Sequence, residues 1–169
     1  MRAGRSSQPP AEHAREPGPT LSRRVEAPAS AVWEVLADGW LYATWVVGAS
    51  RIRDVEPGWP QPGAKLHHSV GVWPALINDS TTVERAEPGK DLVLTARGWP
   101  AGEAHVHLSV EPLDDERCVV TMTEDAISGA VTLIPGPVRH LLLTPRNEET
   151  LLRLALLAEG RHRAGSASG

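Results

Sequence analysis

The sequence predicts an α+β fold, a curved antiparallel sheet of about seven strands in the order β-α-α-β6-α wrapped around a long C-terminal helix. Three observations carry this. Residues 147–161 place Leu151, Leu152, Leu154, Ala155, Leu156, Leu157 and Ala158 around more than half of a helical circumference, with Glu148, Glu149, Arg153, Glu159 and Arg161 on the wet side. Between residues 50 and 127 the hydrophobic period is two, and it is interrupted at short intervals by Pro/Gly turns. Short turns imply antiparallel neighbours, and an antiparallel sheet with one polar face needs a cover on the other. The terminal helix is that cover.

Taken in order, residues 1–19 are Pro, Gly, Ser, Arg and Glu with almost nothing apolar to bury, and read as a disordered tail. In residues 20–27, Leu21, Arg23 and Val25 share one parity, giving a short strand. Pro28 breaks it. Residues 29–37 then form a helix whose apolar side is Val32, Trp33, Val35 and Leu36, ended by Asp38 and Gly39. Residues 40–47 are too apolar for a loop and too short to span much, so they predict a second short helix packed on the first. Both lie too far back in the chain to cover the sheet, and are expected to close one of its ends.

A strand over residues 50–55 carries Ile52 and Val55 and closes in the Pro- and Gly-rich turn of residues 56–63. Residues 65–70 alternate, with Leu66, His68 and Val70 on one side and Lys65, His67 and Ser69 on the other. Residues 71–74 interrupt, and residues 75–85 resume with Ile77, Asp79, Thr81 and Val83 on one parity. A turn at residues 87–90 leads to a strand over 91–98. A turn at 99–102 leads to residues 103–111, where Ala104, Val106, Leu108 and Val110 alternate with His105, His107, Ser109 and Glu111. The last strand is residues 118–127. A less regular apolar stretch, 130–143, precedes the terminal helix, for which Thr144 offers a cap, Pro145 suits the first position and Gly160 permits an exit. Fifteen residues at 1.5 Å rise make a rod of roughly 22 Å. Residues 162–169 read as a second tail, which leaves residues 20–161 as one domain.

A formal net charge of −4 shows no basic footprint, so nucleic acid is not an expected partner. No apolar run reaches the length of a membrane span and the N-terminus has no signal-like apolar stretch, so the expected location is cytoplasmic. Cys118 is the one cysteine, which rules out an intramolecular disulfide and reads as a buried small hydrophobe. Arginine far outnumbers lysine, and phenylalanine is absent beside six tryptophans. That usage points to a GC-rich bacterial source.

The element order, together with Tyr42-Ala-Thr-Trp-Val-Val-Gly48, Trp59-Pro-Gln-Pro-Gly-Ala-Lys-Leu-His-His68, Asp79-Ser-Thr-Thr-Val83 and Thr121-Met-Thr-Glu-Asp125, resembles the polyketide cyclase/dehydrase and lipid-transport family. That family is part of the SRPBCC, START/Bet v 1-like superfamily. The likeness covers roughly residues 20–160. It implies a helix-grip fold with a cavity between sheet and helix, and its members include aromatase/cyclases as well as lipid and hormone binders.

The residues themselves supply a reason for a cavity: the inward parities are mostly Val, Leu, Ala and Thr, and no phenylalanine is available to plug the gap. Trp40, Trp45 and Trp73 are expected near the mouth, where they could stack on a ring or an acyl chain. His68, Asp79 and Glu124 share parity with apolar neighbours, so all three are expected to enter the apolar space and are the candidate acid/base groups. With them, Val70, Thr81, Met122 and Leu151 complete the expected ligand-facing set. Arg97 is placed to neutralise Glu124. His105 and His107 point to one side of their strand, but that side is the solvent face, so no metal site is expected there. No nucleotide fingerprint or nucleophile elbow is present, and no cofactor is expected. The expected function is binding of a hydrophobic or amphipathic lipid- or polyketide-like small molecule. An aromatase/cyclase using the cavity His and carboxylates is the alternative, and an interaction module with a filled interior is a third reading.

Overall fold

The computed structural model describes residues 18–71, 74–98 and 102–167. Strand β1 (Thr20–Val25) is followed by helix α1 (Ala29–Ala37), a 3₁₀ turn (Gly39–Leu41) and helix α2 (Tyr42–Trp45). Six strands come next: β2 (Ala49–Val55), β3 (Lys65–Val70), β4 (Ile77–Glu87), β5 (Asp91–Gly98), β6 (Gly102–Asp114) and β7 (Arg117–Ser128). A second 3₁₀ turn (Ala130–Leu133) leads into α3 (Gly136–Ser166).

All strand pairs are antiparallel, in the order β1-β7-β6-β5-β4-β3-β2. The chain starts at one edge, crosses by α1 and α2 to the other edge, and meanders back. Irregularities in register interrupt β2, β4 and β6, as a curved sheet requires. Pro112 sits at one of them, where its missing N–H costs no regular ladder bond. The alternation predicted for β3, β4, β6 and β7 sorts the faces as expected. Leu66, Val83, Val106, Leu108, Val110 and Val120 are buried, and His105 and His107 are exposed on the opposite face. His107 pairs there with Asp91. Among the described residues, no group of His, Cys, Asp and Glu could hold a metal ion.

Helix α1 buries Ala31, Val32, Val35 and Leu36, and packs on α3 as well as against β6 and β7. It therefore shares in the core between sheet and terminal helix, beyond the end-closing role expected of it. The segment expected as one second helix is instead the end of a 3₁₀ turn followed by the four-residue α2. The side chain of Asp38 accepts a hydrogen bond from the Trp40 N–H at 3.1 Å and starts a 3₁₀ turn before α2.

The largest correction concerns the terminal helix. It begins at Gly136 and runs 31 residues, about 46 Å at 1.5 Å per residue, so the irregular stretch before Thr144 is its first half. Thr144 is no cap, and Pro145 lies inside the helix. Proline suits a first turn but is not confined to it. Here it removes one helix hydrogen bond, that to the Leu141 carbonyl, on a side of the helix where Leu141 is exposed. The half before it leaves Val138, Leu141 and Leu142 exposed, and the half after it buries Asn147, Thr150, Leu151, Leu154, Ala155 and Ala158. Gly160 does not end the helix, and residues 162–166, read as tail, are helical. His162 reaches back to Glu116 at 3.2 Å. At the other end, Gly18 N–H donates to Asp125 and the Pro19 carbonyl accepts from Glu124 N–H. No described helix is long and apolar enough to cross a membrane.

Candidate functional site

A cavity of about 270 Å³ lies between the sheet and the start of the buried half of α3. Its floor comes from the register. Ala96 on β5, Ala104 on β6 and Ala126 on β7 stand directly opposite one another, Ala96 facing Ala104 and Ala104 facing Ala126. The row ends at Thr81 on β4, opposite Ala96. Where neighbouring rows carry Leu94, Val106 and Leu108 and fill the core, this row carries methyl groups and leaves space. Gly102 lines the rim with φ +127°, and a Cβ there would fall 1.8 Å from the Ser128 carbonyl oxygen, so the hairpin can close only on glycine.

The other wall is the segment after α2, Val46 to Ala49, together with Leu143 and Arg146 of α3. Helix α3 holds that segment by both backbone groups of Val47. Arg146 Nε donates to the Val47 carbonyl at 3.0 Å, and the Val47 N–H donates to Thr150 Oγ1 at 3.2 Å. Arg146 Nη1 donates to both carboxylate oxygens of Glu124, at 2.8 and 2.6 Å. The ion pair thus ties helix, sheet and loop together beside the cavity. The partner expected for Glu124 from the sequence, Arg97, instead pairs with Glu103 at 2.8 Å on the rim.

His68 lines the cavity from β3 and is 3 % exposed. Its Nε2 is 3.0 Å from Thr81 Oγ1, which is 3.1 Å from the Tyr42 hydroxyl, a buried chain of three polar side chains. Burial pushes the His68 pKa down; the Asp79 carboxylate opposes this only in part. The ring is therefore neutral at pH 7. The Tyr42 phenol is pushed up, chiefly by burial, and stays protonated. Arg53 fixes the local backbone by donating to the carbonyls of His68, at 3.3 Å, and Asp79, at 3.1 Å.

The residues singled out from sequence are distributed as follows. His68, Val70 and Glu124 line the cavity. Thr81 is buried one hydrogen bond behind His68. Asp79 faces His68 across the β3–β4 ladder but is not part of the lining, and it accepts from the Ser80 N–H at 2.7 Å. No direct hydrogen bond joins His68 to Glu124 among the described residues. Trp45, Met122 and Leu151 are core residues outside the lining, and Trp45 packs edge-on against Tyr42. Trp40 is 59 % exposed and lies by a separate shallow depression near Val55 and Trp59. Trp73 lies outside the described residues. Sequence reasoning missed Arg146, Leu143 and the alanine row; alanine at inward positions flanked by Val and Leu was the available signal.

Residues 20–159 match the family described as polyketide cyclase / dehydrase and lipid transport. The chain belongs to that family. Solved structures carry the same fold at low identity. The Zhui aromatase/cyclase from Streptomyces sp. R1128 is 20 % identical with a TM-score of 0.60, over 85 % of this chain and 92 % of that one. A START superfamily protein from Mycobacterium smegmatis is 18 % identical with a TM-score of 0.60, over 88 % and 99 %. A conserved protein from Geobacillus kaustophilus is 16 % identical with a TM-score of 0.64, over 85 % and 95 %. No curated protein matches the sequence significantly. As a member of the polyketide cyclase/dehydrase and lipid-transport family, the chain has the helix-grip arrangement of a curved sheet and a long C-terminal helix.

Proposed function

We propose that this chain binds a small hydrophobic or amphipathic molecule, of lipid- or polyketide-like character, in the cavity between the sheet and α3. The observation that carries the reading is the aligned row Ala96, Ala104 and Ala126, which leaves apolar space in an otherwise filled interior, with polar groups confined to its edge. At about 270 Å³ the space has room for a compound of one or two rings or a medium acyl chain. The family description is consistent with such a ligand. The filled interior that an interaction module would need is not favoured by this cavity.

The test is native mass spectrometry after incubation with a mixture of lipids and aromatic polyketides, on the wild type and on Ala126→Trp. The wild type retains a ligand, and the variant, with the floor filled, folds and retains none. A wild type that never retains a ligand would sink the reading.

A second reading is an aromatase/cyclase, favoured by the neutral His68 on the cavity wall, backed by Thr81 and Tyr42. A neutral imidazole is the form a general base requires. Turnover of a poly-β-keto substrate that disappears in His68→Gln, with ligand retention unchanged, would establish it. Retention without turnover in the wild type leaves binding as the function.

A further inference from the structure

The charged groups around the cavity are matched before any ligand arrives, and this constrains what the ligand can be. Arg146 is held by Glu124 through both carboxylate oxygens, and Arg97 by Glu103. His68 is the one other ionisable side chain in the lining besides the buried phenol of Tyr42. Arg146 has nevertheless not spent all its donors. Nε is committed to the Val47 carbonyl and Nη1 to Glu124 and the Asn147 side-chain oxygen, whereas Nη2 has no hydrogen-bond partner among the described residues. The Arg146 side chain is 34 % exposed and is part of the cavity lining.

We infer, building on the binding reading above, that the ligand carries an uncharged oxygen acceptor, a ketone, aldehyde or ester carbonyl, which Arg146 Nη2 receives, and that Glu124 is the specificity residue that excludes carboxylates. The argument is one of charge balance. A carbonyl needs only a donor, and its desolvation is light. A ligand carboxylate would enter beside Glu124 and Glu103 with no unmatched cation to meet it, leaving one net negative charge in a poorly solvated space. Its oxygen could still accept from Arg146 Nη2, but the guanidinium charge is already balanced by Glu124, which is 6 % exposed and has no second cation bonded to it among the described residues, so the added negative charge stays unmatched. The geometry of the arginine supports the same assignment. Its guanidinium plane is fixed at Nε and Nη1, so Nη2 presents its donors in a set direction, which suits a single carbonyl oxygen.

The test uses three probes of one shape: 2-acetylnaphthalene, 2-naphthoate and 2-ethylnaphthalene, each titrated calorimetrically into the full chain at pH 7. The ketone is expected to bind about tenfold tighter than the hydrocarbon, the worth of one hydrogen bond to a charged donor, and at least tenfold tighter than the carboxylate. Glu124→Gln keeps the side chain's shape while freeing the arginine's charge, so naphthoate gains at least tenfold and the preference for the ketone collapses. Arg146→Gln, checked for folding by circular dichroism, brings the ketone down to the level of the hydrocarbon. Wild-type protein that takes naphthoate as tightly as the ketone overturns the inference, as does a Glu124→Gln ratio equal to that of the wild type. Ketone and hydrocarbon binding alike overturns it too, while leaving the cavity's binding role standing. Failure of all three probes overturns it as well, and the binding reading falls with it only where mass spectrometry also finds no retained ligand.

Discussion

Leu154→Ala tests the load carried by the buried half of α3. Leu154 is 0 % exposed and lies among Leu151, Ala155 and Ala158, all within the core. Truncation removes roughly three methylene-sized groups, at about 0.8 kcal/mol each, or about 2.4 kcal/mol of transfer free energy. The hole left behind adds about 1–2 kcal/mol at ~24 cal/mol per Å³ of unrelaxed cavity. The sum, about 4 kcal/mol, is a large part of the ~5–15 kcal/mol that stabilises a domain. At about 2–4 °C per kcal/mol for a chain of this size, it lowers Tm by about 10–15 °C. The control is two residues away. Leu156 is 55 % exposed on the same helix, and Leu156→Ala changes stability by at most about 0.5 kcal/mol. Urea unfolding followed by tryptophan fluorescence, with Trp45 as the buried reporter, separates the two through the midpoint at constant slope. Equal losses in the two variants would refute the claim that the sheet clasps this helix by its Leu151–Leu154 side.

Thr81→Val keeps shape but strips the hydroxyl that both His68 Nε2 and Tyr42 use; it costs about 1–3 kcal/mol in urea unfolding, and a loss below 0.5 kcal/mol would show the chain to be idle. Because burial holds the His68 pKa below its ordinary value, the unfolded chain takes up that proton first. Stability is therefore full above the ordinary imidazole pKa of about 6.5 and falls as pH drops below it, levelling once the folded ring is protonated as well. Thermal melts from pH 7.5 to 5 show the fall, and His68→Gln flattens it; an unchanged profile in the variant assigns the pH dependence elsewhere. Burial pushes the Cys118 thiol up to about 11, so a disulfide reagent at pH 8 reacts with native protein far more slowly than with protein in urea, and comparable rates would contradict its buried placement.

What the sequence made legible follows from which signals are local. A strand's faces are written every second residue, and Leu66, His68, Ala104, Val106, Leu108, Val120, Met122 and Glu124 all point as their parity predicts. The bounds of α1 were readable because Pro28 and Asp38 bracket it. The start of α3 was not, because Pro145 looks like a first-turn residue and residues 136–144 expose leucines in a pattern that no amphipathic template recognises. Losing those two turns meant losing Leu143 and the true setting of Arg146. The Glu124–Arg146 pair is also non-local, 22 residues apart, and strand proximity favoured Arg97, whose register with Glu103 across β5 and β6 claims it first. Trp40 failed for a different reason. Aromatic character marks a surface fit for stacking, but only the turn capped by Asp38 decides which end of the domain that surface faces.

The position of Arg146 suggests why the cavity and the fold do not compete for the same residues. It is two residues beyond Thr144 and one beyond Pro145, at the point where α3 passes from its exposed half to its buried half. A buried ion pair contributes little net stability after desolvation, but deleting one member leaves the other charge stranded, so such a pair constrains geometry more than it stabilises. Here the geometry constrained is the distance between α3, β7 and Val47, which is the width of the cavity. Hydrophobic packing further along, at Leu151, Leu154 and Ala158, supplies the adhesion. Separating adhesion from spacing in this way lets the alanine row remain empty: large side chains are not needed there to hold the helix off the sheet, because Arg146 and Thr150 already fix it against the loop.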